Sequence, residues 1–532
     1  MNKNDIFEIQ ITGLTDEGDG VGRVEGCAVF VPYALPGETV RAIIIKLYKS
    51  YAIGKLLEIL KPCENRTKAL CPYFYKCGGC VFWNVDYETE LLYKRQKVED
   101  CIRRIGGIHI PIPPVIGAES VVEYRNKGQL PVSQAGIGIY AKHSHRVVDI
   151  DRCIIQDSEN AAVIRCVREF MQKYGVEAYN EETGNGCIRH IYTRCGDGGR
   201  LVCIVTNGKE LLHGEQLVEM LRKNVKDIRG VLQNINDRQT NVVLGKQFKT
   251  LWGDDFIEDS IGDCKFIIST KSFYQVNKAQ TKILYETVKR FADLSGGEIV
   301  WDLYCGIGTI GQFVAKSAKK IVGIEVVEAA TVDAKENARL NKISNAQYYC
   351  GTAEALAPKL KGEKPDVIII DPPRKGCDEG LLNTIARVGP KRIVYVSCKP
   401  STLARDLKIL QQLGYATEKI QPVDLFPRTH HVESVVLLSR KIPDDRIEID
   451  IDLDELDITT AESKATYEEI KDYVLQKYHF KVSSLYIAQI KTKYGIKEAI
   501  NYNISKKGTR VPQCPPDKEK AITDALTYYG MI

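Results

Sequence analysis

Cys398 stands directly after the apolar run Arg392-Ile393-Val394-Tyr395-Val396-Ser397 and before Lys399-Pro400. A thiol at the end of a buried strand is a candidate nucleophile. Cysteine is partly ionised near neutral pH, and a cation such as Lys399, or a helix terminus, can lower its pKa. Any one of seventeen cysteines is more often a small buried hydrophobe, so Cys398 draws its weight from the neighbouring strand ends. Asp371-Pro372-Pro373 closes the run Val367-Ile368-Ile369-Ile370. Asp302-Leu303-Tyr304-Cys305-Gly306-Ile307-Gly308-Thr309 leads from a strand into a helix, where Gly306 and Gly308 let the backbone approach a ligand closely. The third glycine of a dinucleotide fingerprint is missing. Glu325 ends the run Lys320-Ile321-Val322-Gly323-Ile324, placed to accept hydrogen bonds from both hydroxyls of a ribose. Three such strand ends point to a nucleoside-containing cofactor, and S-adenosylmethionine suits a site that also offers a nucleophile better than NAD does.

A second group is Cys71, Cys77 and Cys80, on a short loop with Gly78 and Gly79 that lets three thiols converge. Spacing alone admits a four-cysteine zinc site or an iron–sulfur cluster, the fourth ligand coming from elsewhere. Unbound thiols are the less common outcome for clustered cysteines in a reducing compartment.

The elements that must position these residues follow from length and pattern. At 532 residues the chain exceeds one hydrophobic core. With 44% hydrophobic and 27% charged residues it reads as soluble globular protein. No apolar run suits a membrane span, and residues 1–10 lack the apolar core of an export signal, so a cytoplasmic chain with reduced thiols is expected. The net charge of +5 permits an anionic partner without requiring one. Residues 1–60 alternate apolar and polar side chains between glycines, which predicts a small antiparallel barrel of about five strands. Residues 61–118 form the cysteine-rich segment and connector, with a polar helix over 87–104. Residues 119–268 mix strands and helices in α+β fashion. Residues 269–441 alternate short apolar strands with helices, the signature of a doubly wound α/β sheet. Residues 442–532 give an acidic linker (444–457) and a helical extension patterned over 466–478 and 517–528.

Three segments then carry a resemblance. Asp371-Pro372-Pro373-Arg374-Lys375-Gly376, Ser397-Cys398-Lys399-Pro400-Ser401-Thr402-Leu403-Ala404-Arg405-Asp406 and Asp424-Leu425-Phe426-Pro427-Arg428-Thr429-His430-His431-Val432-Glu433 are similar to those of the RNA (uracil-5-)-methyltransferase family. The resemblance implies a Rossmann-like class I methyltransferase domain. It implies that Cys398 adds to C6 of a uridine so that C5 can attack a sulfonium methyl, and that Glu433 then removes the C5 proton. Cofactor contacts are implied for Gln275, Tyr304, Glu325 and Asp371, beside Gly306 of the glycine loop, and more weakly for Thr309 and Thr352, where members vary. The N-terminal barrel is similar to the TRAM domain, an OB-like RNA-binding module. Tyr124-Arg125-Asn126-Lys127 matches a segment that reaches the target nucleotide, where Arg and Lys bind phosphate and Tyr can stack on an unpaired base.

The ribosomal RNA branch of that family carries the cysteine pattern, with a fourth cysteine in a segment similar to Val148-Asp149-Ile150-Asp151-Arg152-Cys153. A [4Fe-4S] cluster on Cys71, Cys77, Cys80 and Cys153 is thereby implied, and a monomeric enzyme acting on 23S ribosomal RNA. The rivals are a transfer RNA enzyme of the same mechanism, a non-catalytic RNA-binding assembly factor, and an iron–sulfur redox protein. The presence of Cys398 and Glu433 disfavours the second. The third lacks a site for a redox partner. In the tail, Lys481, Lys491, Lys493, Lys497, Lys506, Lys507 and Arg510, with Tyr486 and Tyr494, suit a solvated helical face slightly better than an RNA surface.

Overall fold

The computed structural model describes residues 1–239, 242–357, 359–360, 363–441, 466–494, 496 and 514–532. The chain divides into two compact units, 1–442 and 443–532.

In the first unit, β1 (Ile6–Leu14), β2 (Gly20–Val24), β3 (Cys27–Val31), β4 (Thr39–Leu47) and β5 (Tyr51–Lys61) close a barrel in the order β1-β2-β3-β5-β4. The period-two pattern turns Ile9, Ile11, Val29, Val31, Val40, Ala42 and Ile44 into its core. Helix α1 (Tyr87–Arg104) starts where Asp86 accepts a hydrogen bond from the Thr89 N–H at 2.7 Å, and it ends on Arg103 and Arg104, charges that suit the helix dipole.

The central elements are β6 (Lys127–Ser133), β7 (Gly136–Tyr140), β8 (Val147–Asp149), α2 (Asn160–Tyr174), β9 (Ile188–Gly196), β10 (Gly199–Thr206), α3 (Gly214–Asn224), β11 (Ile228–Ile235) and β12 (Gln247–Gly253). Their strands form a seven-stranded sheet, β12-β11-β10-β9-β6-β7-β8. Val163, Val167 and Phe170 of α2 and Leu217 and Leu221 of α3 bury one face of it. A hairpin, β13 (Phe256–Ile261) with β14 (Cys264–Ser269), leads onward.

The next elements are α4 (Lys278–Ala292), β15 (Ile299–Leu303), α5 (Thr309–Val314), β16 (Lys320–Glu325), α6 (Glu328–Leu340), β17 (Ala346–Cys350), α7 (Ala353–Leu356), β18 (Val367–Ile370), α8 (Glu379–Val388), β19 (Arg392–Ser397), α9 (Pro400–Gln412), β20 (Tyr415–Val423) and β21 (Glu433–Arg440). The strand order is β17-β16-β15-β18-β19-β21-β20, with β21 antiparallel to both of its neighbours. The strands are buried on both faces. Val300, Ile321, Val367, Ile369 and Val394 enter one core, and Trp301, Val322, Ile368, Ile370 and Ile393 the other, which is why the sequence shows continuous apolar runs. Strand order reverses at β15, and ligands of such sheets gather at the carboxyl ends beside that reversal.

In the second unit, α10 (Tyr467–Tyr478), α11 (Ser484–Lys493) and α12 (Pro516–Tyr528) share a small core of Ile470, Val474, Ile487, Ile490, Ile522 and Ala525. Thr466 and Glu469 cap α10 reciprocally. Of the lysines expected on a solvated helical face, Lys493 on α11 is exposed, but Lys491 is not: it is only 6% exposed, its ammonium 4.5 Å from the centre of the Tyr467 ring. The acidic stretch 444–457 and Lys497, Lys506, Lys507 and Arg510 lie outside the described residues. No described helix is long and apolar enough to cross a membrane.

Candidate active site

The last pair on the β19–β21 ladder is Ser397 with Ser434. One step further along that antiparallel register, Cys398 and Glu433 oppose each other at the strand ends, and Asp371 follows the adjacent β18. Crowding a thiol and two carboxyls into a buried edge disfavours every charged form. Burial, then the neighbouring Asp371, pushes the Glu433 carboxyl up to about 8 against the pull of Arg374. Burial alone raises Asp371 to about 7. The Cys398 thiol is pushed up to about 11 by burial, then by Glu433 and Asp371, while Arg374 opposes. The expectation that Lys399 lowers this thiol's pKa is thus corrected. Lys399 serves as the N-cap residue of α9, the facing cation is Arg374, and the carboxyls outweigh it.

Arg374 is placed by a clamp from α9. Gly376 has φ +76°, and a Cβ there would sit 2.5 Å from Asp406 Oδ2, so the loop can pass only as glycine. Asp406 is fully buried and accepts from the Cys377 N–H at 2.8 Å, the Tyr395 hydroxyl at 2.6 Å and Arg405 Nε at 2.8 Å. The Thr402 hydroxyl donates to the Arg374 carbonyl at 3.2 Å. These bonds explain why the first two signature segments occur together. Arg374 Nη2 lies 3.2 Å from His431 Nε2, and burial, His430 and Arg374 hold that imidazole down at about 2, so the neutral ring accepts.

The loop bringing in Glu433 is anchored by residues that sequence reading left unassigned. Lys94 Nζ, on α1, donates to Glu90 Oε1 at 2.7 Å, Asp424 Oδ1 at 2.7 Å and the Phe426 carbonyl at 3.2 Å. Arg428 donates from its backbone N–H to Glu90 Oε1 at 2.7 Å and from Nη1 to the Phe82 and Val85 carbonyls at 3.1 and 2.9 Å. The only sequence signal was a polar helix whose Glu90 and Lys94 are four residues apart. Lys94→Met should destabilise the protein by about 3–5 kcal/mol, because Asp424 would remain buried without its cation and Glu90 would keep only Arg428, at 3.4 Å. A denaturant titration reads this as a lower midpoint at unchanged slope. An unchanged midpoint would mean the network carries no stability.

At the other end of the sheet edge, Tyr304, Gly306 and Gly308 have φ of 61°, 54° and 81°. The left-handed backbone of Tyr304, a non-glycine residue, costs on the order of 1 kcal/mol and is the kind of strain concentrated at ligand loops. Glu325 accepts from the Gly306 N–H at 3.1 Å and the Val327 N–H at 2.9 Å. Asp302, fully buried, accepts from the Gly311 N–H through Oδ2 at 2.8 Å, whereas its Oδ1 has no partner. These spare acceptors fit a ligand bearing hydroxyl and ammonium donors. Thr309 and Thr352 each make one bond within the protein and keep hydrogen-bonding capacity beyond it: Thr309 Oγ1 bonds the Tyr285 hydroxyl at 2.7 Å, and Thr352 caps α7 by accepting from the Ala355 N–H at 3.3 Å.

Cys71, Cys77, Cys80 and Cys153 line one cavity of about 410 Å³, and Gln275 and Arg374 line it too. Burial raises the pKa of all four thiols. Among the described residues no three of these sulfurs lie within 4.8 Å of one another. Four thiolates on one zinc ion, with bonds of about 2.3 Å, would stand roughly 3.8 Å apart, so the thiols as they stand are not drawn together around one ion. Arg125 and Lys127 line the same cavity. Tyr124 instead donates its hydroxyl to the Pro427 carbonyl at 2.9 Å and packs beside Phe74 and Trp83. Asn126 bonds the Val276 carbonyl through its backbone N–H at 2.8 Å and the Gln275 carbonyl through Nδ2 at 3.2 Å.

Residues 208–441 match the tRNA (uracil-5-)-methyltransferase family model, and residues 2–57 match the TRAM domain. The chain is 46% identical over 450 residues to an uncharacterized RNA methyltransferase of Halalkalibacterium halodurans, covering 83% of this chain and 98% of the relative. A further uncharacterized RNA methyltransferase, from Clostridium tetani, is 43% identical over 447 residues, covering 82% of this chain and 97% of the relative. Among solved structures, the Pyrococcus abyssi tRNA (uracil-54, C5)-methyltransferase in complex with S-adenosyl-L-homocysteine superposes with a TM-score of 0.67 at 27% identity, covering 81% of this chain and 100% of that one. The chain belongs to the S-adenosylmethionine-dependent RNA (uracil-5-)-methyltransferase family.

Proposed function

We propose that this protein methylates C5 of a uridine in 23S ribosomal RNA, with Cys398 as nucleophile and Glu433 as base. The observation that carries the roles is the opposition of Cys398 and Glu433 at the ends of β19 and β21, beside Asp371 and Arg374. S-adenosylmethionine, held by Glu325, Asp302, Tyr304, Gln275 and Asp371, supplies an electrophilic methyl group. Cys398 adds through sulfur to C6 of the flipped base, which makes C5 an enolate carbon able to take that methyl. Glu433 then accepts the C5 proton, and the C6–S bond breaks with the thiolate leaving. Arg374 faces the charge that builds on this edge. Arg125, Asn126 and Lys127 contact the nucleotide or its phosphates, and Tyr124 holds the Pro427 turn beneath them.

Cys71, Cys77, Cys80 and Cys153 are proposed to hold a [4Fe-4S] cluster with a structural role, since transfer from a sulfonium needs no redox step. Anaerobically purified protein should then be brown, with about four irons per chain. Cys153→Ser should lose iron and folding stability together, because metal binding is coupled to folding. One zinc per chain in colourless protein would overturn the iron.

Ribosomal RNA is favoured by the N-terminal barrel together with the pattern of Cys71, Cys77, Cys80 and Cys153, which resembles that of the ribosomal RNA branch of the family. A second reading, transfer RNA, is favoured by the likeness to the Pyrococcus abyssi enzyme. Methyl transfer to purified 23S ribosomal RNA and to unmodified transfer RNA, with the product mapped as 5-methyluridine, separates the two. Transfer to transfer RNA alone would reject the ribosomal substrate.

A further inference from the structure

Arg374 is exposed, and its charge reaches both the Cys398 thiol and the Glu433 carboxyl. A long, solvent-facing arginine samples many rotamers, and holding it in one costs entropy that some contact must offset. A carboxylate is the usual anchor. Among the described residues Arg374 forms no ion pair with a carboxylate. Its guanidinium makes one hydrogen bond among those residues, from Nη2 to His431 Nε2 at 3.2 Å. Nε2 is the acceptor, which places the proton of the neutral imidazole on Nδ1.

The imidazole is itself fixed. Its ring meets Phe426 edge to face, with centroids 5.7 Å apart at 70°, and lies 4.0 Å from the His430 ring. The His431 N–H donates to Thr429 Oγ1 at 3.3 Å, and that hydroxyl donates to the Phe426 carbonyl at 2.8 Å. Lys97 Nζ donates to the His430 carbonyl at 2.9 Å and so ties the turn to α1. His431, Phe426, Thr429 and Arg374 line one cavity. A glutamate in place of His431 would hold the guanidinium more strongly and cancel its charge. A neutral acceptor holds it and leaves the charge whole, as a donor facing a developing anion requires.

We infer that His431 is a positioning residue for methyl transfer: its Nε2 aims Arg374 at the edge where Cys398 adds to the base, without neutralising it. The inference rests on the uridine-methylating reaction above and gives His431 no contact with the base. When the sulfur bonds to C6, the C5–C6 electron pair shifts toward C5 and the uracil carbonyl oxygen. Arg374 faces the charge this builds, and no proton moves through His431.

The test uses the full-length protein with its cysteine site loaded, in single-turnover methyl transfer to 23S ribosomal RNA, or to transfer RNA should that be the substrate. His431→Phe keeps a ring and loses the acceptor. Its rate should fall about ten- to a hundredfold, with S-adenosylmethionine affinity and melting temperature close to the parent's. His431→Gln restores an acceptor near Nε2 and should recover the rate to within a few-fold. In an Arg374→Met background, His431→Phe should cost no further rate, because the ring acts only through the arginine. A second readout needs no RNA. Cys398 is faced by Glu433, Asp371 and Arg374, so cancelling the arginine's charge in His431→Glu should move the pH profile of Cys398 alkylation, followed by peptide mass spectrometry, to higher pH. Arg374→Met should do the same, and His431→Gln should not. Full rate in His431→Phe would overturn the positioning role. A loss that persists undiminished without Arg374 would also overturn it, by giving the imidazole a direct part. Equal losses of rate and melting temperature in the Phe and Gln variants would reduce the ring to a structural one. A parent that methylates neither RNA, while the alkylation profile shifts in His431→Glu alone of the three His431 variants, would leave the coupling to Arg374 standing and remove the proposed reaction.

Discussion

Cys398→Ala is expected to abolish methyl transfer, by roughly 10⁴-fold or more, while cofactor affinity stays within a few-fold of the parent. Uracil C5 is a poor nucleophile, and only addition at C6 makes it reactive, so no other group in the site can stand in for the sulfur. The cofactor loop is separate from that thiol: Glu325, Asp302 and Gly306 are held by backbone bonds within β15, β16 and α5. Removing one half-buried sulfur should leave the fold intact, so a circular dichroism spectrum and melting temperature close to the parent's accompany the loss. Burial and two carboxyls hold the Cys398 thiol at about 11. The free enzyme is therefore mostly protonated there at neutral pH, and single-turnover attack should quicken as pH rises from 7 to 9. A variant that retains turnover within about tenfold of the parent would remove Cys398 from the mechanism and leave the cofactor site untouched.

Much of this site was legible because parallel strands announce themselves. The runs ending at Leu303, Glu325, Ile370 and Ser397 are apolar on both faces, so their carboxyl ends could be located by pattern, and with them Gly306, Glu325, Asp371 and Cys398. The barrel was legible for the complementary reason, period-two alternation between glycine turns. Glu433 was different. It begins an antiparallel strand after an irregular loop, and only resemblance singled it out; the β19–β21 register supplies the reason, by setting it opposite Cys398. The anchors of that loop were not legible. Lys94 and Glu90 meet Asp424 across a sequence separation of about 330 residues, and no local pattern encodes such a contact. The sign of the thiol's pKa shift also needed coordinates, because Lys399 is adjacent in sequence while the groups that decide it, Glu433 and Asp371, come from other strands.

Glu433→Gln should separate methylation from release. Sulfur addition and methyl transfer do not require the base, but elimination does, so the variant should deliver one methyl group per enzyme and then stop as a covalent protein–RNA adduct. A slowly migrating band on a denaturing gel, with steady-state turnover lower by about 10²–10⁴-fold, is the expected result. The same substitution has a second readout in the free protein. Burial and Asp371 raise the Glu433 carboxyl to about 8, so the folded state retains this proton where the unfolded state has released it. Below the ordinary carboxylate range both states are protonated, and the group favours neither. As pH climbs from about 4.5 to 8 the unfolded chain loses the proton first, so stability falls with rising pH, a trend that the raised Asp371 and Asp302, each at about 7, share. Glutamine cannot ionise, which removes this contribution to the slope. Glu433→Gln should therefore be more stable than the parent at pH 8, with the difference closing as pH approaches 4.5, as measured by urea unfolding across that window. Normal turnover without an adduct would take the base role from Glu433. A stability difference independent of pH would show that its carboxyl is not held protonated in the fold.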